Sequence, residues 1–114
     1  MELKNLNDYV KFKKERLTKQ IIYSDSKVLC FILNLLPGHT IPVHKHENSV
    51  LTAIVLKGKA VFTVNGKDYE LSEDSELIIE GTDDFGIPTV KEDLSLYVSL
   101  SPNPENPIYA KPVD

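Results

Sequence analysis

The chain has 114 residues, 41% of them hydrophobic and 26% charged, with a formal net charge of −4. That length holds one domain around one core, and the apolar share excludes a wholly disordered chain. The negative charge argues against nucleic-acid binding that relies on neutralising phosphates, and a lone cysteine, Cys30, excludes an internal disulfide framework and fits a reducing compartment.

Residues 1–19 are polar and weakly patterned. The opening Met1-Glu2-Leu3-Lys4-Asn5 lacks the apolar core of a signal peptide, and no run of about 18 apolar residues is present to span a bilayer. The expectation is a cytoplasmic protein whose partners include neither a membrane nor nucleic acid. Val10 and Phe12 alternate with Lys11 and Lys13 as an edge strand would; a short helix after Asp8 is the alternative. The basic run Lys11, Lys13, Lys14, Arg16 and Lys19, interrupted by Glu15, reads as solvated surface, with an anionic contact as the alternative.

Strand signals become dense from Ile21. Ile21-Ile22-Tyr23 precedes the polar break Ser24-Asp25-Ser26, and an apolar stretch then runs from Val28 to Leu36. Within it Cys30 reads as a small buried hydrophobe. Pro37-Gly38 stops the stretch, since proline lacks the amide a ladder needs and glycine admits turn conformations. If residues 41–46 are extended, His44 and His46 project from one strand face, about 7 Å apart along the chain. Two imidazoles so placed can converge on one ligand or one metal ion.

Asn65-Gly66 predicts a two-residue type I′ hairpin, because both central residues need positive φ. Folding there sets Val64 opposite Lys67, Phe62 opposite Tyr69 and Ala60 opposite Leu71. Leu77-Ile78-Ile79 predicts a further short strand, and Leu94, Leu96, Val98 and Leu100 alternate with polar or aromatic positions as a half-buried strand does. The tail from Pro102 to Asp114 carries Pro102, Pro104, Pro107 and Pro112 and is expected to be extended, adding little regular structure. Many short strands without helices mean a sandwich or barrel. The core is expected over about 21–101, flanked by an N-terminal edge segment (1–20) and the proline-rich tail (102–114).

The segment from Pro37 to Gly58 resembles the first motif of the cupin superfamily. Gly38, five residues, His44-Lys45-His46, and the ending Val55-Leu56-Lys57-Gly58 keep its spacing, and Pro37 and Pro42 match a common form of it. The resemblance, to a small RmlC-like cupin, implies an all-β, double-stranded β-helix (jelly-roll) barrel across residues 1–114. It also implies a metal set of three histidines and a glutamate, from which this chain departs. The glutamate position falls on Leu51. In the second motif, over residues 74–89, Asp74 and Thr82 stand for glycines, Glu80 for proline, Phe85 for histidine and Thr89 for asparagine. Asp74 is tolerable in a turn, but Leu51 and Phe85 offer a metal no lone pair.

The implied set thus reduces to His44 and His46, too few for a closed transition-metal site. A divalent metal would be held weakly unless Glu47, His39 or Cys30 added a bond; His39 itself reads as a surface residue. The expected ligand-binding residues are His44, His46, Leu51 and Phe85: two polar anchors on an apolar wall, the pattern of small-molecule sites. The alternative is that Leu51 and Phe85 merely fill the barrel. No catalytic residue is assigned. The reading is a small-molecule-binding cupin, with carboxylate-bearing compounds among the candidate ligands. The alternative is an enzyme: a metal-dependent oxygenase or isomerase, or a metal-free epimerase with one imidazole as general base. Asp83, Asp84 and Glu47 are candidate orienting groups by proximity in sequence. A homodimer is expected, with edge strands or the tail covering an exposed sheet edge.

Overall fold

The computed structural model of the protein describes residues 1–104, 112 and 113. Among these, a 3₁₀ turn (Leu6–Tyr9) precedes seven strands: β1 (Thr18–Ser24), β2 (Leu29–Leu35), β3 (Ile41–His44), β4 (Val50–Val64), β5 (Lys67–Ser72), β6 (Glu76–Ile79) and β7 (Phe85–Ser101). Every strand pair is antiparallel. The sheet order is β1-β2-β7-β4-β5, with β3 added on β7 and β6 on β4.

Two long strands serve both halves of this roll. The first part of β4 pairs with β6 (Leu51 opposite Ile79) and its last part with β5 (Ala60 opposite Leu71). In the same way β7 begins against β3 (Ile41 opposite Ile87) and ends against β2 (Leu29 opposite Leu100). The crossing between halves falls at Lys57–Lys59, where the β4–β7 register shifts. Buried positions on β4 change parity there, from Leu51, Ala53 and Val55 to Ala60 and Phe62. Gly58, at φ +92°, sits at the bend against the backbone of Asp93. This is the all-β jelly roll implied by the resemblance.

The hairpin has the predicted register, Ala60–Leu71, Phe62–Tyr69 and Val64–Lys67, and Asn65 and Gly66 have φ of 51° and 80°. The Val28–Leu36 stretch forms β2 between β1 and β7, which is why it is apolar without clean alternation: Ile32 and Asn34, on the face away from the core, are buried as well.

Several local expectations are corrected. Neither an edge strand at Val10 and Phe12 nor a helix after Asp8 forms. The 3₁₀ turn lies earlier, with Asn5 Oδ1 accepting from the Asn7 amide, and regular pairing begins at Thr18 rather than Ile21. Cys30 is half-buried, not buried, because it faces away from the core beside Tyr97. Burial, and then the neighbouring thiol, push the Tyr97 hydroxyl pKa up to about 12. The last strand extends upstream to Phe85, since Phe85, Ile87 and Val90 are buried against β3 and β4. In the tail, Val113 exchanges both backbone hydrogen bonds with Lys19 on the free edge of β1 (2.7 and 2.9 Å). Residues 105–111, Pro107 included, lie outside the described residues.

A row of polar side chains crosses three strands on the outer face. Thr18, Asn34 and Ser95 stand opposite one another in register and are 0–1% exposed. Asn34 Nδ2 donates to Thr18 Oγ1 (3.1 Å) and to the Tyr9 carbonyl (2.9 Å), Ser95 Oγ donates to Asn34 Oδ1 (2.8 Å), and Thr18 donates to the Lys11 carbonyl. This network straps the N-terminal segment to the sheet, where the burial cost of polar groups is met by full pairing. Replacing Asn34 by alanine should cost about 2 kcal/mol, since the buried Ser95 hydroxyl and the half-buried Tyr9 carbonyl lose their partner. Urea unfolding measures the loss, and hydrogen exchange should show faster opening at residues 9–12. Unchanged exchange there would mean the strap is held by something else.

Candidate functional site

The histidine segment is held by turns at both ends. The His39 amide donates to the Leu36 carbonyl (2.9 Å) around Gly38, at φ +99°, and the Ser49 amide donates to the His46 carbonyl (3.1 Å) before Asn48 and Ser49 lead into β4. The extended run is shorter than expected: β3 ends at His44, opposite Phe85, and His46 lies beyond it. The rings meet even so. Gly81 allows this, because a Cβ there would come within 2.6 Å of the His46 carbonyl oxygen and 2.8 Å of the Asn48 nitrogen. The loop before β7 thereby packs directly under the His46 turn.

His44 Nδ1 lies 2.7 Å from the Pro42 carbonyl oxygen, and the two Nε2 atoms are 3.2 Å apart. A carbonyl can only accept, so His44 Nδ1 carries a proton and, in the neutral ring, its Nε2 presents a lone pair. His46 Nε2–H then donates to it. The rings sit edge to face, with centroids 4.5 Å apart, and the His44 ring stands 5.9 Å from that of Phe85. His46 is 9% exposed. Burial first, then the charge of His44 and that of Lys19, lower its pKa from 6.5 to about 4, so its ring is neutral at pH 7.

Both imidazoles open onto a cavity of about 520 Å³. Leu51 and Phe85, each 3% exposed, form part of its wall with Phe31, Leu33 and Val98. All four residues expected at a binding site therefore border one cavity, and Leu51 and Phe85 do not close it. Among the described residues its other polar side chains are Thr40 and Lys19. Lys19 corrects the reading of the basic run as solvated. It pairs with Leu33 across β1 and β2, so its side chain points to the core side, and its Nζ lies 5.0 Å from the Phe31 ring centroid. The signal was in the sequence: Leu17 and Ile21, two residues away on either side, mark Lys19 as sharing an apolar strand face.

The remaining candidates lie elsewhere. His39 Nδ1 accepts from the Leu36 amide and its Nε2 donates to the Lys14 carbonyl, both at 2.9 Å, so it ties the turn to the N-terminal segment and is only partly exposed. Glu47 is exposed on the turn, and Cys30 faces the opposite side of β2. Asp83 accepts from Asn65 Nδ2 (2.9 Å) and the Glu80 amide (3.0 Å), and the Asp84 amide donates to Asn65 Oδ1 (2.9 Å). These aspartates brace the β4–β5 hairpin and do not orient the imidazoles; the Pro42 carbonyl orients His44.

For a metal, the donor set is incomplete. Cis ligands about 2.0–2.1 Å from one ion lie roughly 3.0–3.4 Å apart, and the 3.2 Å between the Nε2 atoms suits that. Among the described residues, however, no group of three or more His, Cys, Asp or Glu side chains is gathered at any point. Two imidazoles beside Leu51 and Phe85 do not make the three or four protein ligands of a resident transition-metal site.

An antiparallel double-sheet jelly roll is the architecture of the cupin class of β proteins. The family model for the cupin domain matches residues 31–95, more than half of the chain, and the protein belongs to the cupin family. The fold is similar to the crystal structure of TT1209 from Thermus thermophilus, with a TM-score of 0.81 at 24% identity over 90% of this chain and 98% of that one. An RmlC-like cupin from Desulfovibrio desulfuricans superposes with a TM-score of 0.79 at 21% identity, covering 90% and 97%. KdgF from Halomonas sp. gives 0.75 at 14% identity, covering 86% and 88%. No curated protein matches the chain in sequence. Among the described residues no helix is long and apolar enough to cross a membrane.

Proposed function

We propose that this cupin binds a small, largely apolar organic molecule, with the imidazoles of His44 and His46 as its polar anchors. One observation carries the reading: two mutually hydrogen-bonded imidazoles face a cavity of about 520 Å³ whose remaining wall is mostly aliphatic and aromatic. Sites for small molecules have that composition and a volume of about 300–1,000 Å³. A ligand that displaces the bond between the rings can accept from His46 Nε2–H and donate to the His44 Nε2 lone pair in its place.

Thermal unfolding against a panel of metabolites tests the proposal, because a ligand that binds only the folded state stabilises it. At least one apolar-bodied compound should raise the midpoint, and His44→Ala/His46→Ala should abolish that rise while remaining folded. Compounds that stabilise the double variant equally would place binding outside this cavity.

A divalent ion held by the two imidazoles and water is the second reading, favoured by the 3.2 Å separation of the nitrogens. Metal analysis of protein purified without a polyhistidine tag decides it. Stoichiometric iron, manganese, nickel or zinc, lost in the double variant, would support the ion over the organic ligand alone.

A further inference from the structure

We infer that the cavity selects neutral molecules carrying a hydrogen-bond donor and an acceptor side by side, as on the edge of a primary amide or a cis-lactam. His44 meets the donor, His46 the acceptor, and the apolar body rests on Phe31, Leu51 and Phe85. This ligand class rests on the binding role proposed above. Two bonds fix the roles of the rings. The Pro42 carbonyl accepts from His44 Nδ1–H (2.7 Å), which leaves the lone pair of the neutral ring at Nε2. That lone pair accepts from His46 Nε2–H (3.2 Å), so the two imidazoles are one acceptor and one donor, already bonded to each other.

Binding at the rings is therefore an exchange of bonds. A ligand with acceptors alone, such as a carboxylate or an ester, engages His46 and leaves the His44 lone pair without a donor. A ligand with a donor alone leaves the His46 N–H without an acceptor. His46, Leu51 and Phe85 are buried and His44 is half-buried, so water compensates a broken bond only in part. Leaving a polar group unsatisfied there costs more than a newly made bond returns. A cis-amide edge avoids the loss, because its N–H and C=O lie side by side and meet the two Nε2 atoms together. A site that hydrogen-bonds both groups rejects an analogue lacking either one.

2-Quinolinone, N-methyl-2-quinolinone and coumarin share a bicyclic body and a carbonyl, and only the first has an N–H beside it. Calorimetric titration of the full-length protein with each, at pH 8, tests the selection. 2-Quinolinone should bind at least about ten-fold tighter than either analogue. In His44→Phe the His46 N–H has no bond to give up and no lone pair awaits a donor. 2-Quinolinone and coumarin should then bind within about two-fold of each other. The native comparison needs no variant, so it decides even where His44→Phe fails to fold. Equal binding of 2-quinolinone and coumarin by the native protein would overturn the paired recognition and leave the binding role standing. A preference for 2-quinolinone that survives in His44→Phe would overturn it as well, by assigning the donor's partner to another group. Failure of all three probes to bind would also overturn it, and the metabolite panel then judges the binding role separately.

Discussion

Gly58→Ala should destabilise the protein by more than about 3 kcal/mol, a large part of the 5–15 kcal/mol that holds a domain of this kind folded. Two effects add. At φ +92° a residue with a side chain is strained, at a cost of about 1–2 kcal/mol. A Cβ built there would also meet the Asp93 carbonyl oxygen at 2.1 Å, its carbon at 2.7 Å and the Leu94 Cα at 3.0 Å. All three are backbone atoms, so no rotamer change relieves the contact. Relief requires β4 and β7 to separate where both cross between the halves of the roll, next to the buried Leu94 and Val55. Gly66 is the control. Its φ is +80°, but nothing lies within 4 Å of its would-be Cβ, so Gly66→Ala should cost only the backbone part, about 1–2 kcal/mol. Urea midpoints of the two variants measure the difference; equal losses would remove the close-approach argument.

Acidification should destabilise the native protein by about 2–3 kcal/mol between pH 7 and pH 4.5 through His46 alone. Its folded pKa of about 4 lies below the ordinary 6.5. Between those values the unfolded chain binds a proton that the native ring refuses, so stability falls as pH drops through this window. Above 6.5 the two states bind equally and the effect vanishes. Below 4 it is complete. The partly exposed Asp25 and Asp83 carboxyls, held below their ordinary 3.8 by Tyr23 and Asn65 respectively, lose their contributions only at lower pH, outside the window. His46→Gln, which keeps a polar group but does not titrate, should flatten the profile between pH 7 and 4.5. A variant whose stability still falls as steeply as that of the native protein would show that the acid sensitivity arises elsewhere.

Much of the architecture was legible residue by residue. Asn65-Gly66 dictates its hairpin because few other dipeptides accept two positive φ values in succession, and the register followed from the turn. The spacing from Gly38 through His44 and His46 to Gly58 pointed to the jelly roll and to the imidazole pair. Leu51 and Phe85 were placed beside that pair by their positions in the motifs. The N-terminal segment was not legible: its weak alternation at Val10 and Phe12 suggested a strand or a short helix, whereas it is held through its Tyr9 and Lys14 carbonyls by Asn34 and His39, far away in sequence. The first half of β7 carries Gly86 and Pro88, residue types that weaken a strand pattern. Gly86 is accommodated because it packs against the Ile41 carbonyl and Val43 of β3, where a side chain would not fit.

Lys19 shows where local reading stops. Taken with its basic neighbours it looks solvated; taken with Leu17 and Ile21 it belongs to an apolar face, and only the pairing of β1 with β2 selects between these. Alternation, turn chemistry and motif spacing are properties of neighbouring residues, and they are enough for the all-β class, the hairpin and the candidate pair of histidines. Tertiary packing decided that the imidazoles meet at 3.2 Å, that a cavity lies beside them, and that a lysine faces it. Those outcomes depend on distances between strands remote in sequence, and such distances are set when the core closes.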